Sequence, residues 1–261
     1  MTAAVAQGAT LLNDAPGLQH QLVLDPAHPL HLACVPDLPT LAVVSIASLR
    51  ARGESVRAEL SHRHLTPEEQ ARAGAFAREG RRIEWLAGRL AVKYAVTTHL
   101  NRASGQAAET SAIEVRAVAS GPRAGKPFVN APVEVGLSHS GDFAIAACGS
   151  GTLGIDLECG RDVSPVLTKV LDESRPSGDP GGRLSSIPAT LHWACKEAVL
   201  KHFGFGLRID SREVVLTEWL PNAHFSWRPG PTLRSRTASS AYPSHGIAHQ
   251  ISGYSLALVW R

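Results

Sequence analysis

Motifs recur along this chain at nearly one spacing. Trp85-x3-Arg89-x3-Lys93 returns as Trp193-x3-Glu197-x3-Lys201, 108 residues on (193 − 85). Thr40-Leu41 returns as Thr152-Leu153, 112 on (152 − 40), and Ser140-Gly141 as Ser252-Gly253, again 112 (252 − 140). Three matches in the same order imply a duplicated unit of about 110 residues, and such self-similarity constrains the architecture before any local propensity does. The 261 residues accommodate two units and a sizeable core. The halves are expected at 39–150 and 151–261. Residues 1–38, which contain Ala, His and Pro without a clear period, read as a loose N-terminal arm. On this alignment the copies differ chemically: Asp156, Glu158 and Glu197 of the second stand where the first has Val44, Ile46 and Arg89. A site built between them would draw acids from one half and a cation from the other.

The element pattern is α+β. Strands are expected at 41–46, 143–148, 154–158, 213–218 and 253–260, with another at 21–24. Leu65-Thr66-Pro67-Glu68-Glu69 is a helix start, with Thr66 as N-cap, Pro67 at N1 and Glu69 at N3. A long helix is expected over 82–100, carrying Trp85, Gly88, Arg89 and Lys93. Residues 193–201 are good helix formers with one β-branched residue, and neither Gly nor Pro follows until Gly204. The run Ser-Arg-Pro-Ser-Gly-Asp-Pro-Gly-Gly at 174–182 reads as a mobile loop. The fold expectation is two similar halves of about 110 residues, related by a pseudo-twofold. Each half is an antiparallel sheet with a long helix packed on it.

Asp156 and Glu158 are two apart on a strand, so they point to one face. Glu197 and Lys201 are i and i+4 on a helix and share a face; Lys196 lies about 100° away. Three carboxylates, Asp156, Glu158 and Glu197, suit a hard cation such as Mg²⁺ or Mn²⁺, which also binds substrate phosphate. Each feature alone has a plainer reading. Half-exposed strands often carry Asp-x-Glu, and a Glu-to-Lys helix pair is commonly a surface pair worth about 0.3–0.5 kcal/mol. His139, between Ser138 and Ser140, could donate to a phosphate, yet alone is a satisfied loop histidine. Lys126 before Pro127 fixes a cation in an extended segment. Only five of the 26 basic residues are lysines, and four of those five, Lys93, Lys126, Lys196 and Lys201, fall in these motifs. A flexible point charge suits a phosphate.

Other classes are disfavoured. There is no Walker loop, dinucleotide fingerprint or His/Cys metal cluster. A net charge of +3 does not point to nucleic acid, though it would suit an acidic partner. The apolar run 41–47 is far short of a membrane span, and the N-terminus lacks the pattern of a signal peptide. Cys34, Cys148, Cys159 and Cys195 form no Cys-x-x-Cys pair and read as reduced thiols, which fits the cytoplasm.

Together the motifs resemble a known family. Gly125-Lys126-Pro127, Leu137-Ser138-His139-Ser140, Gly154-Ile155-Asp156-Leu157-Glu158 and Trp193-x-x-Lys196-Glu197-Ala198-x-x-Lys201, followed by Gly204 and Gly206-Leu207, look like the 4′-phosphopantetheinyl transferases. Their order and spacing are those of the long, pseudo-dimeric, surfactin-synthetase-activating type, and Trp85 to Ala95 is similar to that family's Gly-Arg-x-Ala-x-Lys helix. The resemblance covers about residues 65–215. It implies transfer of phosphopantetheine from coenzyme A to a serine of an apo acyl or peptidyl carrier protein, releasing 3′,5′-ADP, by a monomeric cytoplasmic enzyme. By position, Asp156, Glu158 and Glu197 would hold Mg²⁺ against the pyrophosphate, and Glu197 would accept the serine proton, directly or through water. Lys201 and His139 would neutralise phosphate oxygens. Arg89 and Lys126 would grip the nucleotide, with Lys93, Pro127 and Ser138 completing the coenzyme A site. The segment after Glu158 departs from the family pattern at 174–182, and the N-terminal arm has no counterpart. Two further readings compete: a metal-dependent phosphohydrolase or nuclease using the same carboxylates, and a coenzyme A or carrier-protein binding module without turnover.

Overall fold

The computed structural model describes residues 17–105, 107–160, 168, 171, 184 and 186–261. The 174–182 segment and the first 16 residues of the expected arm lie outside the described residues.

After α1 (Leu18–Gln21) the first half runs β1 (Leu30–Ala33), β2 (Thr40–Ser45), α2 (Ile46–Ala51), α3 (Glu54–His64), α4 (Pro67–Gly74), α5 (Glu79–Ser104), β3 (Val115–Ala117), β4 (Pro127–Val129), β5 (Glu134–Ser140) and β6 (Phe143–Gly149). The second runs β7 (Leu153–Cys159), α6 (Ala189–Phe203), β8 (Val214–Trp219), β9 (Phe225–Pro229), α7 (Pro231–Arg236), β10 (His245–Ile251) and β11 (Tyr254–Trp260). The main sheets are antiparallel, ordered β1-β2-β6-β5 and β10-β11-β7. Two small ribbons, β3-β4 and β8-β9, complete the halves. The α+β architecture of two similar halves is therefore present, each with an antiparallel sheet under a long helix.

Strand alternation sorts the core into three layers. Ala42, Val44, Ala144 and Ala146 face α5, while Ala248, Ala257 and Val259 face α6. The opposite faces pack on each other through Leu41, Val43 and Ile145 against Ile155, Leu256 and Leu258. Leu18, Leu22 and Leu24 also enter this middle layer. Residues 17–38 are thus docked rather than loose, because three buried leucines tie them down. The strand expected at 21–24 is not there: α1 ends at Gln21 and extended, unladdered chain follows.

The sheets meet where β5 runs beside β7. Ser138 Oγ accepts the Leu157 N–H at 3.2 Å and Ser140 Oγ accepts the Cys159 N–H at 2.9 Å. Two hydroxyls thus replace the carbonyls a laddered neighbour would offer to the edge of β7. Gly136 permits the approach: a Cβ there would lie 2.8 Å from Leu153 Cδ1. By order β5 corresponds to β10, and β7 to β2. The seam therefore joins non-equivalent strands.

The duplication is real but its register differs from the sequence alignment. The hairpin turns are 141–142 and 252–253, which offsets the strands by 111 (252 − 141). Val44 pairs with Ala144 and Glu158 with Ser255, so Glu158 replaces Val44, an offset of 114 (158 − 44). Asp156 accordingly replaces Ala42. On the helices, Lys93 donates to the carbonyls of Thr110 and Ile113, and Lys196 to those of Ser211 and Val214. These lysines are counterparts, offset by 103 (196 − 93). Glu197 thus stands where the first half has Tyr94, and Arg89 corresponds to His192, not Glu197.

Candidate functional site

The carboxylates cluster because three local choices agree. On β7, alternation sends Leu153, Ile155 and Leu157 into the middle layer and Asp156 to the α6 side, 2 % exposed. On α6, Glu197 and Lys201 share a face, and the helix ends at Gly204 in a left-handed conformation, φ 78°. Gly154 brings the two elements close: a Cβ there would meet the Ala198 carbonyl oxygen.

Asp156 Oδ1 accepts from Ser138 Oγ at 2.9 Å and from Lys201 Nζ at 2.5 Å, and Lys201 also reaches Ser138 Oγ at 3.1 Å. Asp156 Oδ2 and Glu197 Oε1 are both buried without a hydrogen-bond partner. Burial pushes the Glu197 carboxyl up to about 7, helped by the nearby Asp156 and Glu158 charges and opposed by Lys201. Burial also raises Asp156, against the pull of Lys201 and Ser138. Glu158, half-buried, has an oxygen 3.5 Å from Ser140 Oγ.

Other predicted residues are placed differently. Lys126, from the first half, donates to the His202 carbonyl at 3.1 Å and pairs with Glu134 at 3.0 Å, closing the last turn of α6. Pro127 opens β4 beside it. His139 is exposed on β5, on the same face as Leu137, against which Gly88 of α5 packs. Arg89 is 9 % exposed, with its guanidinium 4.9 Å above the Trp85 ring and its Nε 3.7 Å from Glu69. Lys93 has no exposed surface: Glu69 at 2.7 Å and two carbonyls occupy its three donors. The structure therefore sets Lys93 apart from the carboxylates as a buried staple.

The four motif lysines do not share one duty. Lys93 and Lys196 are fully buried and the Lys126 side chain is 4 % exposed, whereas Lys201 is 31 % exposed. Lys201 is the one of the four whose side chain both touches Asp156 and reaches solvent. The expected capping box at Thr66 is present, and its Glu69 does more than cap: it also pairs with Lys93 and accepts the Val115 N–H. Ser140 was missed, although Ser-x-Ser on a strand signals two hydroxyls on one face.

Among the described residues, no three His, Cys, Asp or Glu side chains converge closely enough to enclose a metal ion. The donor set still fits a hard cation of the Mg²⁺ type. Such an ion takes one or two carboxylates and fills its remaining positions with water and substrate phosphate. Asp156 Oδ2 and Glu197 Oε1 are two hard oxygens that lack partners. Among the described residues, no helix is long and apolar enough to cross a membrane.

No known protein-family profile and no curated protein matches the chain. Among solved structures, a holo-(acyl-carrier-protein) synthase from Bacillus anthracis str. Ames, in complex with CoA (3′,5′-ADP), matches at 25% identity and a TM-score of 0.32. The match covers 41% of this chain and 90% of that one. It is a distant, partial likeness, too weak at that TM-score to support a statement about activity.

Proposed function

We propose that the chain transfers the 4′-phosphopantetheine group from coenzyme A to a serine of an apo carrier protein. The motif resemblance supplies the reaction class. The observation that carries the reading is the pair of buried, unpartnered carboxylate oxygens, Asp156 Oδ2 and Glu197 Oε1, beside a lysine that reaches solvent.

In the transfer, the carrier serine oxygen forms a bond to the β-phosphorus of coenzyme A. The bond from that phosphorus to the bridging oxygen breaks, and 3′,5′-ADP leaves with the electron pair. Glu197 takes the serine proton, directly or through water. Lys201, held between Asp156 and Ser138, offers positive charge to phosphate oxygens as negative charge grows on the leaving group. Asp156 and Glu197 would hold Mg²⁺ or Mn²⁺, with Glu158 adding negative charge beside them, and the ion would supply further charge neutralisation at the pyrophosphate. His139, exposed beside Ser138, adds a donor for phosphate, and Arg89, Lys126 and Pro127 shape the first-half side of the coenzyme A site, with Lys93 bracing the helix that carries Arg89.

Intact-mass analysis of an apo carrier protein incubated with the chain, coenzyme A and Mg²⁺ tests this reading. The expected result is a gain of one phosphopantetheinyl group per carrier, with 3′,5′-ADP formed and neither product in EDTA. Coenzyme A cleavage without a mass gain would favour a phosphohydrolase, and full transfer in EDTA would remove the carboxylates as ligands.

A further inference from the structure

Matching side-chain periods meet at the seam. Ser138 and Ser140 stand two apart on β5, and Asp156 and Glu158 two apart on β7. Ser138 Oγ donates to Asp156 Oδ1 at 2.9 Å, and Ser140 Oγ lies 3.5 Å from a Glu158 oxygen, an offset of 18 residues in both cases (156 − 138, 158 − 140). The same two hydroxyls accept the N–H groups of Leu157 and Cys159, an offset of 19 in both (157 − 138, 159 − 140). The offset is constant, so β5 and β7 run in the same direction here and each hydroxyl stays in step with one acid.

The duplicate places carry neither partner. At the hairpin offset of 111, Ser138 and Ser140 correspond to His249 and Ile251 of β10 (138 + 111, 140 + 111). Asp156 and Glu158 correspond to Ala42 and Val44 of β2. Hydroxyls and acids thus occur together, at the seam where β5 and β7 meet.

Counting hydrogens shows what the Ser138 hydroxyl does. It has one hydrogen to give and two lone pairs to offer. The hydrogen goes to Asp156 Oδ1, and the lone pairs take the Leu157 N–H and the Lys201 ammonium at 3.1 Å. Nothing of this buried hydroxyl remains for a substrate phosphate. Asp156 Oδ1 is in turn held from two sides, by Ser138 and by Lys201 at 2.5 Å. A group that hydrogen-bonds a metal-binding carboxylate fixes its orientation, and its loss typically costs about 10–100-fold in metal affinity.

We infer that Ser138 is a positioning residue: through its hydroxyl on β5 the first half fixes the orientation in which Asp156, an acid of the second half, meets a cation. Ser140 does the same more weakly for the neighbouring charge of Glu158. This role rests on Asp156 holding a cation, as in the transferase reading, and it removes Ser138 from the coenzyme A contacts that the motif resemblance implies.

Two titrations of the full chain test the role: Mn²⁺ followed by electron paramagnetic resonance with coenzyme A present, and coenzyme A followed by calorimetry in EDTA. Ser138→Ala is expected to weaken Mn²⁺ binding by about tenfold or more and to leave coenzyme A affinity in EDTA within about twofold. Ser140→Ala should weaken Mn²⁺ less, because its contact with Glu158 is long for a hydroxyl bond. Ser45→Ala is the control for lost stability: the buried Ser45 hydroxyl accepts the Ser48 N–H and donates to the Pro26 carbonyl, and neither bond goes to an acid. It should lower the urea midpoint as Ser138→Ala does and leave Mn²⁺ affinity unchanged. Unchanged Mn²⁺ affinity in Ser138→Ala, or an equal loss in Ser45→Ala, overturns the inference. So does a fall in coenzyme A affinity in EDTA, which would make Ser138 a substrate ligand. A chain that shows the expected Mn²⁺ losses yet adds no mass to a carrier protein would remove the transferase reading and keep the positioning role.

Discussion

The two halves share a skeleton and differ in what stands on it. In each, a fully buried lysine on the long helix donates to two carbonyls at the start of the small ribbon, Lys93 to Thr110 and Ile113, Lys196 to Ser211 and Val214. In the first half a carboxylate, Glu69, neutralises that lysine. Around Lys196 no carboxylate lies within pairing distance among the described residues, and burial lowers its ammonium to about 8. The acids of the second half stand elsewhere, at Asp156, Glu158 and Glu197, where the first half has Ala42, Val44 and Tyr94. One copy pairs its staple lysine with a buried carboxylate; the other gathers its acids beside the seam, next to Ser138 and Lys201.

The largest expected contrast is catalytic. Glu197→Gln should lower transfer by about 10²-fold or more, since it removes a ligand charge and the proton acceptor together. Tyr94→Phe, at the corresponding place in the first half, should leave transfer within about twofold. Steady-state kinetics of both variants, with folding checked by circular dichroism, breaks the comparison if the two lose activity alike.

The staples come next. Lys93→Met strands the Glu69 charge in the core and should cost about 3–5 kcal/mol. Lys196→Met leaves two carbonyls short of a donor but no buried charge, so about 1–3 kcal/mol is expected. Urea unfolding midpoints with unchanged slopes would measure both, and a larger loss for Lys196→Met would contradict the assignment of their surroundings.

How much of this was legible in the sequence depends on what each signal rests on. The duplication showed because turn and motif residues repeat; its register did not, because loops of different length give three offsets, 103 for the helices, 111 for the hairpins and 114 for β2 and β7. Asp156 with Glu158, and Glu197 with Lys201, were legible because strand and helix periods place each pair on one face. The burial of Lys93, Lys126 and Lys196 was not: each is fixed by a carbonyl contributed by a distant segment, as when Lys126 reaches His202, 76 residues on. Scarce lysines suggested phosphate binding, yet three of the four motif lysines brace helices. Helix α3 went unread because Arg57 is its one buried residue, which leaves no apolar stripe.

A smaller contrast concerns helix approach. Gly154 of β7 corresponds to Thr40 of β2, which carries a side chain in a buried place. A Cβ at 154 would lie 2.1 Å from the Ala198 carbonyl oxygen. Gly154→Ala should therefore cost about 1–3 kcal/mol in a denaturant titration, and a neutral outcome would place α6 farther from its sheet.

The smallest effect is on acid stability. His202 and His99 are counterparts at the helix offset of 103 (202 − 99), and burial lowers both, His202 to about 4. His202 Nε2 donates to the Ala241 carbonyl at 3.0 Å. With a folded value below the unfolded one of about 6.5, the unfolded chain binds more protons between them. The His202 contribution is therefore present above pH about 6.5 and lost as pH falls towards 4. Thermal melts over that window should flatten more in His202→Gln than in His99→Gln; equal flattening would remove the difference between the halves.

The central claim is that one half of a duplicated skeleton carries the cation ligands. Its most direct measurement is Mn²⁺ binding followed by electron paramagnetic resonance, with coenzyme A present to supply phosphate oxygens. One ion per chain is expected, weakened by about tenfold or more in Asp156→Asn and in Glu197→Gln and unchanged in Tyr94→Phe. An ion held with unchanged affinity by the Asp156→Asn, Glu197→Gln double variant would contradict the account.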